Sequence, residues 1–356
     1  MTSTRDEWRD TLRRLHLARW LPILAMIVLI VVIGAYTNSQ DSAFTSEFNL
    51  NGMLVATMPL ACAAMGQTFA LMVRAFDVSM GSLMSVLVVT GSFVLGPDEA
   101  WWSMGLGIGL IMLVAIASAS VNVTLIRGLG LSSIIATLAM LSILDGVALW
   151  LRPQPAGPIN RELVDLLKKS VGFVPVAFIV IVVVALAADV WLYRSAGGLS
   201  ARAAGLDEVS AERRGVRVGF LYVRAFFIAA LAAAVGSLFL AAQIQIGDPR
   251  IGVPFTFEAI AAAVLGGASI FGGRGSFFGA VVGALFLRLL INVLPFLDVR
   301  TPILSDLMRD GRIFIGVLTL TALVIYQAPE LTARIRTAIA NFRLARGHEV
   351  ALEETA

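Results

Sequence analysis

The chain has 356 residues, 58% of them apolar and only 14% charged. A soluble domain typically carries about 25% charged and 45–50% apolar residues, so this composition excludes an ordinary soluble protein and indicates one solvated by lipid. The formal charge of +3, from 27 basic and 24 acidic residues, gives no reason to expect a nucleic-acid partner.

Taken in chain order, the first feature is an amphipathic stretch, Trp8–Trp20. Trp8, Leu12, Leu15 and Trp20 alternate with Arg9, Arg13, Arg14 and Arg19, the pattern of a helix lying at the headgroup level. Residues 1–19 are read as a cytoplasmic segment of this kind. The apolar run Leu21–Tyr36 follows, with no small-x-small cleavage site after it, and reads as an uncleaved first span. A helix needs about 20 apolar residues to cross the hydrocarbon core. Ten candidate spans lie near 20–37, 51–73, 80–96, 101–126, 131–151, 171–193, 219–242, 256–272, 275–297 and 310–327; the third and eighth are short, and eight or nine full spans with re-entrant segments fit nearly as well. The predicted fold is therefore an all-α, polytopic transmembrane bundle over 20–327, with a tail over 328–356. Basic residues in the connections set the orientation. With the N-terminus inside, seventeen arginines fall in inside segments, and seven basic residues (Arg152, Arg161, Lys168, Lys169, Arg250, Arg300 and Arg309) fall outside. This bias predicts that both termini are cytoplasmic.

Several connections break the apolar pattern. Val73–Ser82 (VRAFDVSMGS) places Arg74 and Asp77 between two spans. Charge near the bilayer core is costly and faces protein or water, so the stretch is either an inside turn or part of the translocation path. Its candidate residues are Asp77, Ser79, Gly81 and Ser82. Asp145, Asp189 and Glu258 sit near span ends and read as interfacial. Arg152–Ser170 is the longest outside segment. It contains three prolines and a helical patch, Ile159–Lys169, and fits a surface hairpin cap or a docking surface equally well.

The cytoplasmic segment over 194–218 holds a short polar stretch, Asp207–Arg214. Acidic Asp207 and Glu208 come first and basic Arg213 and Arg214 last, which suits the helix dipole. Gly215 closes it as a C-terminal glycine does. A rigid helix here would receive force from a cytoplasmic partner; the plain alternative is a solvated loop.

Phe257–Leu287 then reads FEAIAAAVLGGASIFGGRGSFFGAVVGALFL. Gly266-Gly267 and Gly272-Gly273 break the helix, and Gly275, Gly279 and Gly283 recur every fourth residue. That spacing predicts one helix face open to a close backbone approach. Irregular backbone at membrane depth must be buried or line a cavity.

The chain lacks a P-loop, since neither Lys168 nor Lys169 follows a glycine-rich turn, so ATP-driven work would have to come from another polypeptide. The single cysteine, Cys62, and the two histidines, His16 and His348, leave no cysteine- or histidine-based metal site in the membrane. No cofactor is expected.

Ala259–Leu285, with its LGGASIFGGRGS run, resembles the signature of ABC importer permeases of the ribose, xylose and arabinose type. Ala204–Val216 is similar to that family's cytoplasmic stretch, DVSMGS (Asp77–Ser82) to its DLSVGS, and SSIIATL at the start of Ser132–Leu151 to its Pro-x-x-Ile-x-Thr-Leu. The resemblance covers roughly residues 50–327. It implies a ten-helix subunit with spans 2–5 and 7–10 related as an inverted pseudo-repeat, in a bacterial inner (plasma) membrane. A second permease subunit, a cytoplasmic ABC ATPase and an extracytoplasmic solute-binding protein would complete the assembly. Asp207, Glu208, Arg213, Arg214 and Gly215 would couple to the ATPase. Gly266, Gly267, Gly272, Gly273, Arg274, Gly275, Ser276, Gly279 and Gly283 would form the gate and its packing. None would be catalytic. Two departures stand out. Arg74 and Ala75 occupy places where the family usually has two glycines, and Glu212-Arg213-Arg214 replaces its commoner Arg-Leu-Ser. The implied cargo is a monosaccharide or polyol. Nucleosides or branched-chain amino acids are the near alternative, and an ion-coupled carrier using Asp77 or Glu258 is a more distant one.

Overall fold

The structure, a computed structural model, describes residues 4–97, 100–296 and 316. In chain order its helices are α1 (Thr4–Gln40), α2 (Glu47–Met72), α3 (Met80–Val94), α4 (Trp101–Val123), α5 (Ser133–Leu151), α6 (Arg161–Lys168), α7 (Val176–Arg194), α8 (Ala196–Leu206), α9 (Glu208–Arg213), α10 (Val218–Ile244), α11 (Phe255–Leu265) and α12 (Phe277–Asn292). Seven of these are long and apolar enough to cross a bilayer, namely α1 from Pro22 onward, α2, α4, α5, α7, α10 and α12. A π-helical turn extends α4 to Gly128, and a 3-10 turn, Leu294–Phe296, follows α12. The predicted tenth span at 310–327 and the tail lie outside the described residues.

The centre of the bundle is α2, which is buried along most of its length. It crosses α10 in antiparallel fashion, through small residues. A side chain at Gly66 would meet the backbone of Ala229 and the Cβ of Ala232, and one at Gly236 would meet the carbonyl of Pro59. Without a hydrophobic drive between helices in lipid, such close approach is what makes van der Waals packing worthwhile. By contrast, α4, α5 and α7 expose long apolar faces, including Leu106, Leu113, Ile135, Ile143, Val180 and Val183, as lipid-facing helices do.

Two apolar helices are too short to cross. The 15 residues of α3 and the 11 of α11 fall below the ~20 that a bilayer requires. Each follows an irregular segment, 73–79 before α3 and 245–254 before α11. Each segment has a left-handed residue other than glycine in its first two positions, Arg74 (φ 61) and Gln245 (φ 59). The irregular backbone is satisfied inside the protein. Phe76 N donates to Ser133 Oγ and Gly252 N to Ser85 Oγ.

Several boundaries differ from the sequence reading. The span predicted over 171–193 begins at Val176, because β2 (Ser170–Val171) and β3 (Val174–Pro175) form a hairpin turned at Gly172. The span predicted over 256–272 ends at Leu265, where the backbone breaks at Gly266 and Gly267. The N-terminal stretch is continuous with the first span, since α1 runs unbroken through Pro22.

The Arg152–Ser170 connection forms a cap. Its strand β1 (Ala156–Pro158) pairs with β4 (Ile246–Gly247) after α10. Arg152 Nε donates to Ser92 Oγ at 2.7 Å, and Asn160 N donates to the Leu95 carbonyl at 2.8 Å. The C-terminal ends of α3 and α10 are thereby clamped together.

Candidate functional site

At the opposite end, three segments distant in sequence converge: the end of α2, the α8–α9 turn, and the glycine loop over 266–276. The loop starts where α11 stops. Gly266, Gly272 and Gly273 are buried, and Gly267, Gly272 and Gly273 have φ of 101, 84 and 76. Its own hydrogen bonds fold it back on itself, with Ser269 N donating to the Arg274 carbonyl and Gly272 N to the Ser269 carbonyl. Gly273 N then donates to the Met72 carbonyl at 2.8 Å, which docks the loop on the last residue of α2. Arg274 projects outward and is exposed.

The α8–α9 segment lies against the same point. A side chain at Gly205 would collide with the Met72 carbonyl and the Gly273 amide, both rigid backbone groups, so only glycine fits. Arg74 spans the gap. Its Nε donates to the Phe271 carbonyl in the loop and its Nη2 to the Leu206 carbonyl at the end of α8, each at 2.8 Å. The next helix, α9, is built as the sequence predicts. Asp207 caps it by accepting from Ser210 N, and Gly215 closes it at φ 84. Hydrogen bonds from Ser210 hold the Asp207 carboxyl below its usual range. Glu208 is half-buried, while Arg213 and Arg214 are exposed, leaving one face of α9 open.

The far end of the loop is anchored on α7. Asp189, 3% exposed, accepts from Ser276 Oγ (2.6 Å), Phe277 N (2.8 Å) and Phe278 N (3.3 Å). A carboxylate thus sits on the N-terminus of α12, where unpaired amides and the helix dipole both favour it. Ser276 also caps α12 by accepting from Gly279 N. One turn further along α7, Tyr193 Oη donates to the Gly275 carbonyl at 2.8 Å, and the Arg202 guanidinium of α8 lies 4.6 Å over the Tyr193 ring.

Three sequence expectations need correction here. Asp189 is not interfacial: it is buried, because the chain needs an acceptor for the amides that open α12. Gly275 does not share a helix face with Gly279 and Gly283. It precedes α12 and packs on Thr68 of α2, whereas Gly279 and Gly283 face the carbonyls of Gly266 and Ala262 at the α11 interface. Glu258 is likewise not simply interfacial. It pairs with Arg288 across α11 and α12 at 2.7 Å, with both side chains about six-sevenths buried (15% and 14% exposed).

A second cluster lies where α3 and α11 begin. Their N-termini abut, so a side chain at Gly81 would strike Thr256 Oγ1, Thr256 N and the Gly252 carbonyl. Around this junction Asn122 Nδ2 donates to Ser79 Oγ (3.1 Å), which donates to Asp77 Oδ1 (2.6 Å). Ser79 N donates to the same carboxyl oxygen. Asp77, Ser79, Gly81 and Ser82 therefore do come together, joined by Asn122 and Thr256. Ser82 Oγ, Asn122 Oδ1 and Thr256 Oγ1 are buried without a hydrogen-bond partner among the described residues, as is Ser118 Oγ one turn before Asn122.

Residues 49–323 match the family described as branched-chain amino acid transport system / permease component. The chain belongs to this permease family. Curated relatives include the autoinducer 2 import system permease protein LsrC of Salmonella typhi, 29% identical over 303 residues and covering 83% of each chain. The LsrC protein of Escherichia coli (strain K12 / DH10B) is 29% identical over 311 residues, 83% of this chain and 87% of the relative. No solved structure matches the chain.

Within this permease, sequence reasoning missed Asp189, Tyr193, Arg202, Asn122 and Thr256 as site residues. For Asp189 a signal was present, since a single acid amid the apolar α7 requires a partner. Asn122 and Thr256 carry no such signal, because small polar residues are common in membrane helices.

Proposed function

We propose that this permease is the membrane subunit of an ATP-driven ABC importer that moves a monosaccharide or polyol. An extracytoplasmic binding protein would deliver the solute, and ATP would be hydrolysed on a separate subunit. The observation that carries this reading is the junction of α8–α9 with the glycine loop. A short capped helix with an open face is seated, through Arg74 and Gly205, on a loop that ends two membrane helices. Such an arrangement supports a reading in which α9 receives force from the ATPase and passes it to the loop.

The full subunit, in this proposal, has ten spans over 20–327, with both termini in the cytoplasm and tails over 1–19 and 328–356. Arg74, Arg127, Arg202, Arg213, Arg214 and Arg224 gather at the α8–α9 end of the bundle, linked through Phe271, Leu206, Tyr193, Tyr222 and Trp191. By the positive-inside rule that end is cytoplasmic. The α2–α3 and α10–α11 units support the inverted repeat: each is a long helix, a left-handed residue, an irregular segment and a half-helix. A second permease chain, the same or homologous, would complete the pathway. Solute would pass the junction of Asp77, Ser79, Gly81 and Ser82 with Asn122 and Thr256, and the glycine loop would gate it. Hydroxyl and amide groups dominate that junction, which suits a neutral polyhydroxyl solute better than a zwitterion.

Uptake by the permease reconstituted with its ATPase and binding protein tests the reading. The panel is ribose, xylose, arabinose, ribitol, autoinducer 2 and leucine. ATP-dependent uptake of a polyhydroxyl member is expected. Preference for leucine refutes the cargo assignment, and uptake that persists without ATP but collapses with the proton gradient refutes the ABC reading.

A further inference from the structure

Arg74 lies in a conformation that side-chain-bearing residues avoid, with φ 61. It stands where the resembling permeases usually have glycine, so this chain accepts backbone strain at a place where glycine would cause none. The side chain accounts for the choice. Its two hydrogen bonds, both 2.8 Å, end on the carbonyls of Phe271 and Leu206. Leu206 is the last residue of α8, so its carbonyl has no partner within that helix. Phe271 immediately precedes the left-handed pair Gly272-Gly273. A planar guanidinium with several fixed donors can hold two such acceptors at once, which a lysine cannot.

The bond pattern reinforces a contact that the two segments already make, since Gly205 and Leu206 of α8 pack against Gly273 of the loop. The glycine loop is fixed by Gly273 N on Met72, and α8 packs on Met72 at Gly205. Arg74 adds side-chain hydrogen bonds to that contact, one to each segment.

We propose that Arg74 is the positioning residue that makes the α8–α9 segment and the glycine loop move as one body, so that displacement of α9 by a partner is delivered to the gate. This rests on the importer reading, and its test separates the two. The complete importer, reconstituted in nanodiscs, is trapped with Mg-ATP and orthovanadate, and amide hydrogen exchange is followed over residues 205–214 and 266–276. In the wild type, trapping changes exchange in both segments. Arg74→Gly keeps the left-handed backbone without strain, so the complex is expected to stay monodisperse. Trapping should still change 205–214 in this variant, while the change in 266–276 falls about tenfold or more, since each of the two lost charge-assisted hydrogen bonds carries about that factor. Arg74→Lys, with charge but no fork, should give an intermediate loss. A response in 266–276 that is undiminished in Arg74→Gly and Arg74→Lys overturns the proposal. A wild-type complex in which trapping changes neither segment overturns the importer reading beneath it.

Discussion

Replacing Asp189 by asparagine tests how the glycine loop is held. In the wild type the carboxylate accepts from Ser276 Oγ and Phe278 N on one oxygen and from Phe277 N on the other. An asparagine oxygen can serve the first pair, but the amide nitrogen then faces the Phe277 N–H. One buried donor is left unsatisfied, at about 1–3 kcal/mol, and the two retained bonds lose their charge assistance, which is worth roughly 1 kcal/mol in total after relaxation. Loss of the charge at the α12 N-terminus adds about 0.3–1 kcal/mol. The total is about 3 kcal/mol, which corresponds to a fall in unfolding temperature of roughly 6–12 °C by the scaling for domains of 150–250 residues. Asp189→Ala removes all three acceptor contacts and should fall further, by about 5 kcal/mol in all. Thermal unfolding of purified protein in detergent, followed by a thiol-reactive dye on the buried Cys62, reads both. Asparagine unfolding at the wild-type temperature, or alanine costing no more than asparagine, would refute the account of Asp189 as the cap of α12.

Gly205→Ala should lower the unfolding temperature and abolish ATP-driven uptake, at a cost of about 1–3 kcal/mol for overpacking against rigid backbone; a stable, active variant would show that α8 is not seated on Met72. Asp207 has a folded-state pKa below its unfolded value, so its contribution to α9 is fully present above the ordinary Asp pKa of about 3.9 and disappears as pH falls through the lower folded value. Amide exchange at Ala211 and Arg213 should therefore stay slow down to that range and accelerate beneath it, and Asp207→Asn should flatten the profile. Glu258→Gln strands the Arg288 charge and should cost about 3 kcal/mol, while replacing both residues with apolar ones of similar volume should restore much of the loss. If Glu258→Gln abolishes transport at unchanged stability, and the double replacement does not recover it, Glu258 is an ion-coupling carboxylate and the ATP-driven reading fails.

What was legible in the sequence was local. The Asp207 cap and Gly215 end of α9 follow from side chains within one turn of the helix, and the break at Gly266-Gly267 follows from backbone freedom at adjacent glycines. Membrane helices that cross fully announce themselves by length. The half-helices α3 and α11 show in the sequence only as short spans with insecure ends, because the irregular segments beside them are apolar enough to complete a span-length window. That is why 256–272 reads as one span when the helix stops at Leu265. Arg74 reads as a charged turn residue because its partners, Phe271 and Leu206, lie 197 and 132 residues away. Asp189 reads as interfacial because it is close to a span end, and only the arrival of α12 from 87 residues further on makes a buried carboxyl favourable.

The meeting of α3 and α11 bears on cargo. Two helix N-termini that face each other bring two partial positive charges together in a medium of low dielectric, and the repulsion must be offset. At α3 the offset is local, because Asp77 sits two residues before the cap, Ser79, and accepts from the Ser79 amide. At α11 the acid in the first turn is Glu258, but its charge is already satisfied by Arg288. At the α11 end, Phe255 N, Thr256 N and Glu258 N already donate to the carbonyls of Gly252, Val253 and Pro254, while the Thr256 and Ser82 hydroxyls lack hydrogen-bond partners among the described residues. In the proposed importer, a solute's ammonium group would meet only Asp77, which is already engaged by Ser79. Solute hydroxyl groups would pair with Thr256 and Ser82 and donate to Asn122 Oδ1. That set of unpaired hydroxyl and amide groups, more than the family's general name, is what the proposal of a neutral polyhydroxyl cargo rests on.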